Sequence, residues 1–328
     1  MKSHGWGIVA PGRFAREFAA ELRAAPRARL VAVASRSRER AAGFARDFGF
    51  ARSYGDYASL FSDPEVDLVY VAAPHPFHDG LAREALDAGK AVLCEKPLTP
   101  SLEETRALCA YAKERGRFLM EGMKTGFLPA VRRAREWVAE GRIGKPLLLR
   151  ADFCFRGPED PADRLMNPDL AGGAILDVGI YPLHLARYLL GEVLSLHASG
   201  SLAATGVEDS AAILTRHADG ASALGTCSFR TTEHLAATLL GTEGEIRLPK
   251  FHAATLVERH DDEGLVERYE DASGGMVGAE IAAAMDALEA GRLECPGHTH
   301  EDSIQLAALV EEARRQVLGG GSLKAAPR

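Results

Sequence analysis

The stretch GIVAPGRFA, residues 7–15, ends an apolar run and opens a segment with helical spacing. A strand followed by a tight turn and a helix is the setting in which the diphosphate of a dinucleotide is cradled by main-chain N–H groups. In register with G-x-G-x-x-G/A the chain reads Ala10, Pro11, Gly12, Arg13, Phe14, Ala15. Gly12 stands where backbone must approach a pyrophosphate, and Ala15 where helix packs closely on strand. Ala10 replaces the first glycine, so the motif on its own also reads as a plain tight turn. Its place at the first strand–helix junction favours the nucleotide.

Working outward, short apolar runs alternate with helical segments up to about residue 122. Strands are expected at 6–10, 30–35, 67–73, 91–95 and 118–122, and helices at 13–24, 38–48, 57–61, 78–88 and 101–115. Repeated strand–helix–strand order predicts a doubly wound parallel sheet with helices on both faces, a Rossmann α/β domain over 1–122. Gly89 and Gly116 stop helices, while Thr99-Pro100 and Ser101 with Glu104 offer two competing caps for one of them. Beyond 122 a helix is expected over 128–140, closed by Gly141. Strand-like runs follow, PLLLRADFCF, LSLHASGSLA, DSAAILTRH, ASALGTCSF, AATLLG, GEIRLP and TLVERHD. They predict a second α/β domain over 123–328 with a largely antiparallel open sheet. Helices at about 277–290 and 301–317 close the chain before a frayed tail, GGGSLKAAPR.

Composition narrows the partners. The chain has 328 residues, 46% of them hydrophobic, and a net charge of −7 without a basic stripe, which points away from nucleic acid and towards a small-molecule substrate. No apolar run approaches the roughly 18 residues of a membrane span, and the N-terminal apolar segment is short for a signal peptide. Five scattered cysteines without a CxxC pair read as reduced, packed thiols, so neither a disulfide framework nor a metal site is expected. The address expected is cytoplasmic.

Two further stretches carry chemistry. LCEKPLTPS, residues 93–101, delivers Lys96 at the end of the fifth strand and stiffens the next position with Pro97. Ligands of an open parallel sheet lie beyond the carboxyl ends of its strands, so Lys96 is placed to face a nicotinamide, hold a substrate oxygen and stabilise developing negative charge. A surface lysine beside a turn proline is the plain alternative. AGGAILDVGIYPLHLARYLLG, residues 171–191, sets Asp177, Tyr181, His184 and Tyr188 on one helical face. Gly172, Gly173 and Gly179 are costly in a helix, and their bareness suggests room for a flat ring to approach the backbone. A phenol beside a cation serves as general acid/base and a carboxylate holds a substrate hydroxyl, although an amphipathic core helix with buried polar groups has the same spacing. At the end of the second strand stand Ser35, Arg36 and Arg38 in place of an acidic residue. A hydroxyl and guanidinium groups there suit the extra phosphate of NADP, with NAD as the alternative and a solvated basic helix start as the plain reading. GHTHED, 297–302, reads as a helix cap by Thr299 and Asp302, not as a metal site through His298 and His300.

At EKPL together with GGAILDVGIYP the sequence resembles the Gfo/Idh/MocA oxidoreductases, closest to the branch of dimeric dihydrodiol dehydrogenases and NADP-dependent xylose dehydrogenases. The resemblance also runs through WGIVAPG, HPFH (75–78), FLMEGMKTGFLPA (118–130), TGVEDS (205–210) and GTEGEI (241–246), nearly the whole chain. It implies hydride transfer on a secondary alcohol or carbonyl of a sugar, cyclic polyol or related diol, with Lys96 and Tyr181 acting together and Asp177 beside the substrate. It implies cofactor contacts at Ala73, His75, His78, Glu95 and Lys96 besides Ala10, Gly12, Arg13, Phe14 and the residues closing the second strand. It also implies an open sheet through which a homodimer or higher homo-oligomer forms. Where dihydrodiol dehydrogenases carry a tryptophan and an arginine, this chain has Lys124 and Gly126, so an aromatic wall is replaced by a flexible cation. Phe153 and Phe251 match aromatic positions of that pocket, which favours a hydroxylated or anionic sugar-like substrate. A cofactor-sensing binding protein on the same fold is the rival function. Tightly held nucleotide shuttling between two sugars is a third.

Overall fold

A computed structural model describes residues 2–319. The tail expected to fray lies outside the described residues after its first glycine, Gly319. The chain forms two compact units, Met1–Leu128 with Ser273–Ala307, and Pro129–Ala272 with Ala308–Arg328.

The first unit opens with strands β1 (His4–Val9), β2 (Ala28–Ala34), β3 (Arg52–Tyr54), β4 (Leu68–Val71), β5 (Ala91–Glu95) and β6 (Leu119–Gly122). Between them run helices α1 (Arg13–Ala24), α2 (Arg38–Phe48), α3 (Tyr57–Phe61), α4 (His78–Asp87) and α5 (Leu102–Glu114). The strands form one sheet in the order β3-β2-β1-β4-β5-β6, and every pairing is parallel. Strand order reverses between β1 and β4, which makes the carboxyl ends of these two strands the switch point where such sheets bind ligands. Helix α1 forms because Ala15, Phe18, Ala19 and Leu22 recur on one face, and all four are buried. Ser37 caps α2 by accepting the Arg40 N–H, and Gly49 ends it at φ 85°. Of the two caps expected for α5, Ser101 is the one used, accepting the Glu104 N–H. Strand β3 gives no alternation to read over its three residues.

The second unit begins with α6 (Pro129–Ala139) and β7 (Pro146–Arg156), continues to α7 (Ile180–Leu190), and then adds β8 (Val193–Leu202), β9 (Glu208–His217), β10 (Ser222–Ser228), β11 (Arg230–His234), β12 (Ala237–Gly241), β13 (Glu245–Leu248), β14 (Leu256–Asp261) and β15 (Gly264–Glu270). Its sheet runs β15-β14-β13-β12-β7-β10-β9-β8, with β11 also on β7. Only the β7–β10 pair is parallel, so the sheet is mixed and largely antiparallel. The seven strand-like runs of the sequence all appear; β11, exposed along its whole length, and the edge strand β15 are additions.

The chain then returns to the first unit with α8 (Gly278–Glu289) and the start of α9 (His300–Leu318). Compactness therefore divides the chain after Leu128 instead of after residue 122, and gives 273–307 to the nucleotide-type unit. The reason is burial: Val277, Ile281, Ala284 and Met285 share one core with Trp6, Phe18 and Tyr70. Glu21 of α1 fixes the junction by accepting the N–H groups of Met276, Val277 and Gly278 at 2.7–2.9 Å. A carboxylate is favoured at that helix start. Thr299 and Asp302 cap α9 reciprocally, Thr299 N–H donating to Asp302 Oδ2 and Asp302 N–H to Thr299 Oγ1. Among the described residues no helix is long and apolar enough to cross a membrane.

Candidate active site

At the carboxyl end of β1 the chain turns sharply. Ala10 takes φ 55°, the left-handed region where glycine is at ease, while its N–H still reaches Ala34 O at 3.0 Å. Gly12 is the residue before α1 and gives no side-chain cap, and no acidic residue follows in the first turn. A Cβ at Gly12 would meet only Ala72 O, at 3.8 Å, an ordinary contact. Packing within the protein therefore does not demand glycine here; room in front of the helix start does. The first N–H groups of α1 and its positive end are left for an anion, so the turn fits a dinucleotide diphosphate. Arg13 and Phe14 open the helix beside it.

The neighbouring strand β2 ends in Ser35, buried, whose hydroxyl accepts the Ser37 N–H at 3.3 Å. Arg36 and Arg38 are exposed, and among the described residues neither joins a salt bridge. The Arg36 guanidinium lies 6.0 Å from the centroid of the exposed Phe77 ring. Two cations stand at this strand end, the charge of Arg38 also felt by the Asp56 carboxylate, and guanidinium groups can receive a phosphate.

Strand β5 delivers the lysine turn. The Lys96–Pro97 peptide is cis. The Lys96 N–H donates to Glu95 Oε2 at 3.2 Å, and the Tyr70 hydroxyl donates to Glu95 Oε1. Burial raises the Glu95 carboxyl above its ordinary value, although Tyr70, Lys96 and Lys124 all favour the ionised form. The fully buried His78 ring stands between two carbonyls, with Nδ1 2.9 Å from Pro97 O and Nε2 2.8 Å from Ala73 O. Burial lowers its pKa against the pull of those carbonyls. Both nitrogens are thus engaged by main chain, and His78 ties the β4 and β5 ends together instead of presenting a polar atom to a ligand. His75 is buried with its ring edge-on to His78 at 5.8 Å.

Lys124 departs from the flexible cation expected. It sits buried in a short turn after β6, with its ammonium 4.8 Å from the centroid of the Phe14 ring and 3.7 Å from Met276 Sδ. Burial lowers its pKa, while Glu95 and Glu280 oppose that shift. Glu280, wholly buried with one oxygen unpartnered among the described residues, is pushed well above the carboxylate range by burial and by Glu95.

In the second unit the glycine-rich segment is not one continuous α-helix. Ile175–Gly179 form a π-turn, and α7 starts after it, so Asp177 belongs to the wide turn and Tyr181 to the first turn of α7. The glycines serve close packing, not access for a flat ring. A Cβ at Gly172 would lie 2.6 Å from Leu165 O, and one at Gly173, where φ is 123°, 2.6 Å from the Glu208 carboxylate. At Gly179 it would lie 3.0 Å from Cys227 Sγ. Asp177 accepts from Arg164 Nη1 at 2.9 Å. The Tyr181 ring lies 5.2 Å from Phe153 and 6.1 Å from His252, and Phe153 packs on His252 at 4.2 Å. Phe251 is 0% exposed and backs Phe153 edge-on at 6.4 Å, so it supports the aromatic cluster from behind while its neighbour His252 reaches the surface. His252 and Arg164 are the members that patterning alone did not single out. The adjacency of His252 to Phe251 was the one available signal.

A parallel sheet in one unit and a large mixed sheet in the other are the architecture of the family that the chain matches, a class of nucleotide-dependent oxidoreductases. Residues 5–123 match the oxidoreductase family with an NAD-binding Rossmann fold, and residues 131–247 match the GFO/IDH/MocA C-terminal domain. The chain belongs to the Gfo/Idh/MocA oxidoreductases. It is 33% identical over 322 residues to the trans-1,2-dihydrobenzene-1,2-diol dehydrogenase of Mus musculus, covering 95% of this chain and 96% of that one. The Homo sapiens enzyme of the same name is 32% identical over 323 residues, with the same coverage. Among solved structures, a 3-ketoreductase from Actinomadura kijaniata in complex with NADP superposes with a TM-score of 0.83 at 26% identity, over 96% of this chain and 98% of that one. An aldose-aldose oxidoreductase from Caulobacter crescentus shares the fold with a TM-score of 0.89 at 24% identity, over 97% and 98% of the two chains.

Proposed function

We propose that this oxidoreductase uses NADP(H) to interconvert a secondary alcohol and a carbonyl on a sugar, cyclic polyol or related diol. The observation that carries the reading is the likeness to diol dehydrogenases across 95% of the chain, in a protein that keeps Lys96, Asp177 and Tyr181. Ala10, Gly12, Arg13 and Phe14 would hold the diphosphate end of the nucleotide. Ser35, Arg36 and Arg38 would receive a 2′-phosphate, and the lack of an acidic residue at that strand end supports NADP over NAD. When bound, the nicotinamide supplies the hydride acceptor or donor. Tyr181 takes the hydroxyl proton as the carbonyl forms and returns it in the reverse direction. Lys96 stabilises the negative charge that develops on the reacting oxygen, and Asp177, oriented by Arg164, holds a neighbouring hydroxyl. Phe153 and His252 offer a ring surface to an apolar sugar face.

The outward face of the second sheet carries exposed Leu214 and Leu224, directly paired across β9 and β10. We assign to that face the contact of a homodimer, and a monomer in sedimentation equilibrium would remove the assignment. The five cysteines are buried free thiols, which fits the reducing cytoplasm.

A panel of aldoses, polyols and diols, assayed by nicotinamide absorbance with NADP and with NAD, tests the function. In Tyr181→Phe, turnover is expected to fall by about a hundredfold or more while NADPH affinity stays put. Equal losses in both would reject the role of Tyr181. Silence on every substrate beside tight NADPH binding would favour a cofactor sensor.

A further inference from the structure

The lysine turn is held from a place far along the chain. Beyond the bonds at Lys96 and Pro97, the Leu98 N–H donates to Glu121 Oε1 of β6 at 2.8 Å. Glu121 is buried and does not face solvent, and its second oxygen meets His298 Nε2 at 3.0 Å. Both side chains are 3% exposed. Ser303, in the first turns of α9, adds a contact from its hydroxyl to the same His298 nitrogen at 3.1 Å. Burial alone would raise the Glu121 carboxyl; the His298 pairing, the Ser303 hydroxyl and the Leu98 N–H more than offset this and hold it below its ordinary value. The carboxylate is therefore an ionised anchor bonded by His298, Ser303 and the Leu98 N–H.

His298 is brought there by a turn that needs a bare backbone. A Cβ at Gly297 would stand 2.6 Å from the Phe127 ring, and the His298 N–H closes the turn on Cys295 O at 3.1 Å. The GHTHED segment thus has a second task besides capping α9. A hydrogen-bonded charge in a dry interior resists displacement, since breaking one partner leaves the other buried and unsatisfied. Catalytic lysines need such restraint, because a misplacement of about 1 Å can cost roughly a hundredfold in rate.

We propose that Glu121 and His298 are positioning residues for Lys96, acting through the main chain of Leu98, so that the segment following α8 sets the aim of the reacting cation. The inference rests on the reading of Lys96 as that cation. Neither residue touches the substrate; each fixes where the turn lies.

The test compares His298→Phe, which removes the ring nitrogen, with His298→Gln, which restores a donor, each made alone and together with Lys96→Ala. The readouts are kcat, KM and NADPH affinity of the full-length enzyme. His298→Phe is expected to lower kcat by about ten- to a hundredfold, with NADPH affinity within about twofold, and His298→Gln to recover most of the loss. In the Lys96→Ala background His298→Phe adds no further loss. Unchanged kcat in His298→Phe, or an undiminished loss in the Lys96→Ala background, overturns the proposal. Wild-type turnover in Lys96→Ala instead sinks the reading of Lys96 itself, and the inference with it. If His298→Phe yields no soluble protein, Glu121→Gln, which keeps an acceptor for Leu98, carries the same comparison with a several-fold loss expected and the same overturning results.

Discussion

The turn that presents Lys96 and the turn that presents Tyr181 are fixed by different physics. The first is a lattice of directed bonds: Glu95 on the Lys96 N–H, His78 on Pro97 O and Glu121 on the Leu98 N–H. The second has glycines pressed against main chain and side chains, Gly172 on Leu165 O, Gly173 on the Glu208 carboxylate and Gly179 on Cys227. Bonds fix a turn by satisfying polar groups that would be costly to leave buried and bare. Close packing fixes it by leaving no volume to move into. The two turns should therefore fail differently, the lysine turn in rate and the tyrosine turn in folding.

The largest effect is expected at Gly173→Ala. The added methyl group would enter the space of the Glu208 carboxylate and force a side chain into a φ of 123°. Strain of about 1–2 kcal/mol and overpacking of about 1–3 kcal/mol combine, and urea unfolding should show the loss. A stable variant would break the comparison, since packing would then not be what fixes the tyrosine turn.

Glu208 is itself supported by Arg314, whose Nε donates at 2.9 Å. Burial raises the Glu208 carboxyl, and Arg314 pulls it back. Arg314→Met leaves that carboxylate buried without its cation, a loss of about 3 kcal/mol, while Arg314→Lys should recover part of it. Thermal unfolding measures both. Loss of turnover at unchanged stability would instead give the glycine turn the character assigned to the lysine turn.

The smallest effect, and a gain, falls at Ala10→Gly. Ala10 has the left-handed conformation at φ 55°, with its methyl group packed against one core cluster of the first unit. Glycine relieves strain of about 1–2 kcal/mol against an added chain entropy of about 0.4–1 kcal/mol. A net stabilisation of at most about 1.5 kcal/mol is expected in denaturant titration, with NADPH affinity retained. A destabilised variant would mean that the packing of the alanine methyl group outweighs the strain of its backbone.

Much of this was legible in the one-dimensional pattern because local periodicity governs it. Helices α1, α2 and α3 begin and end where apolar spacing and caps place them, at 13–24, 38–48 and 57–61. The EKP turn could be picked out for its residue types, whereas the aromatic pair Phe153 and Phe251 came only from the family resemblance. The π-turn could not, because a single widened turn leaves the same spacing of Asp177 and Tyr181 that an α-helix would. The burial of Lys124 was equally hidden: its charge suggested exposure, and only the arrangement of Phe14, Met276 and Glu280 encloses it.

By itself the sequence determined the alternation of strands and helices that makes the parallel sheet and its first turn, since those follow from periodicity and caps among near neighbours in the chain. Tertiary structure alone decided which unit owns α8, which glycines guard packing, and that His298 lies beneath Glu121. Those outcomes depend on tertiary contacts, 177 positions apart in the chain for Glu121 and His298, and burial, not local preference, selects their partners.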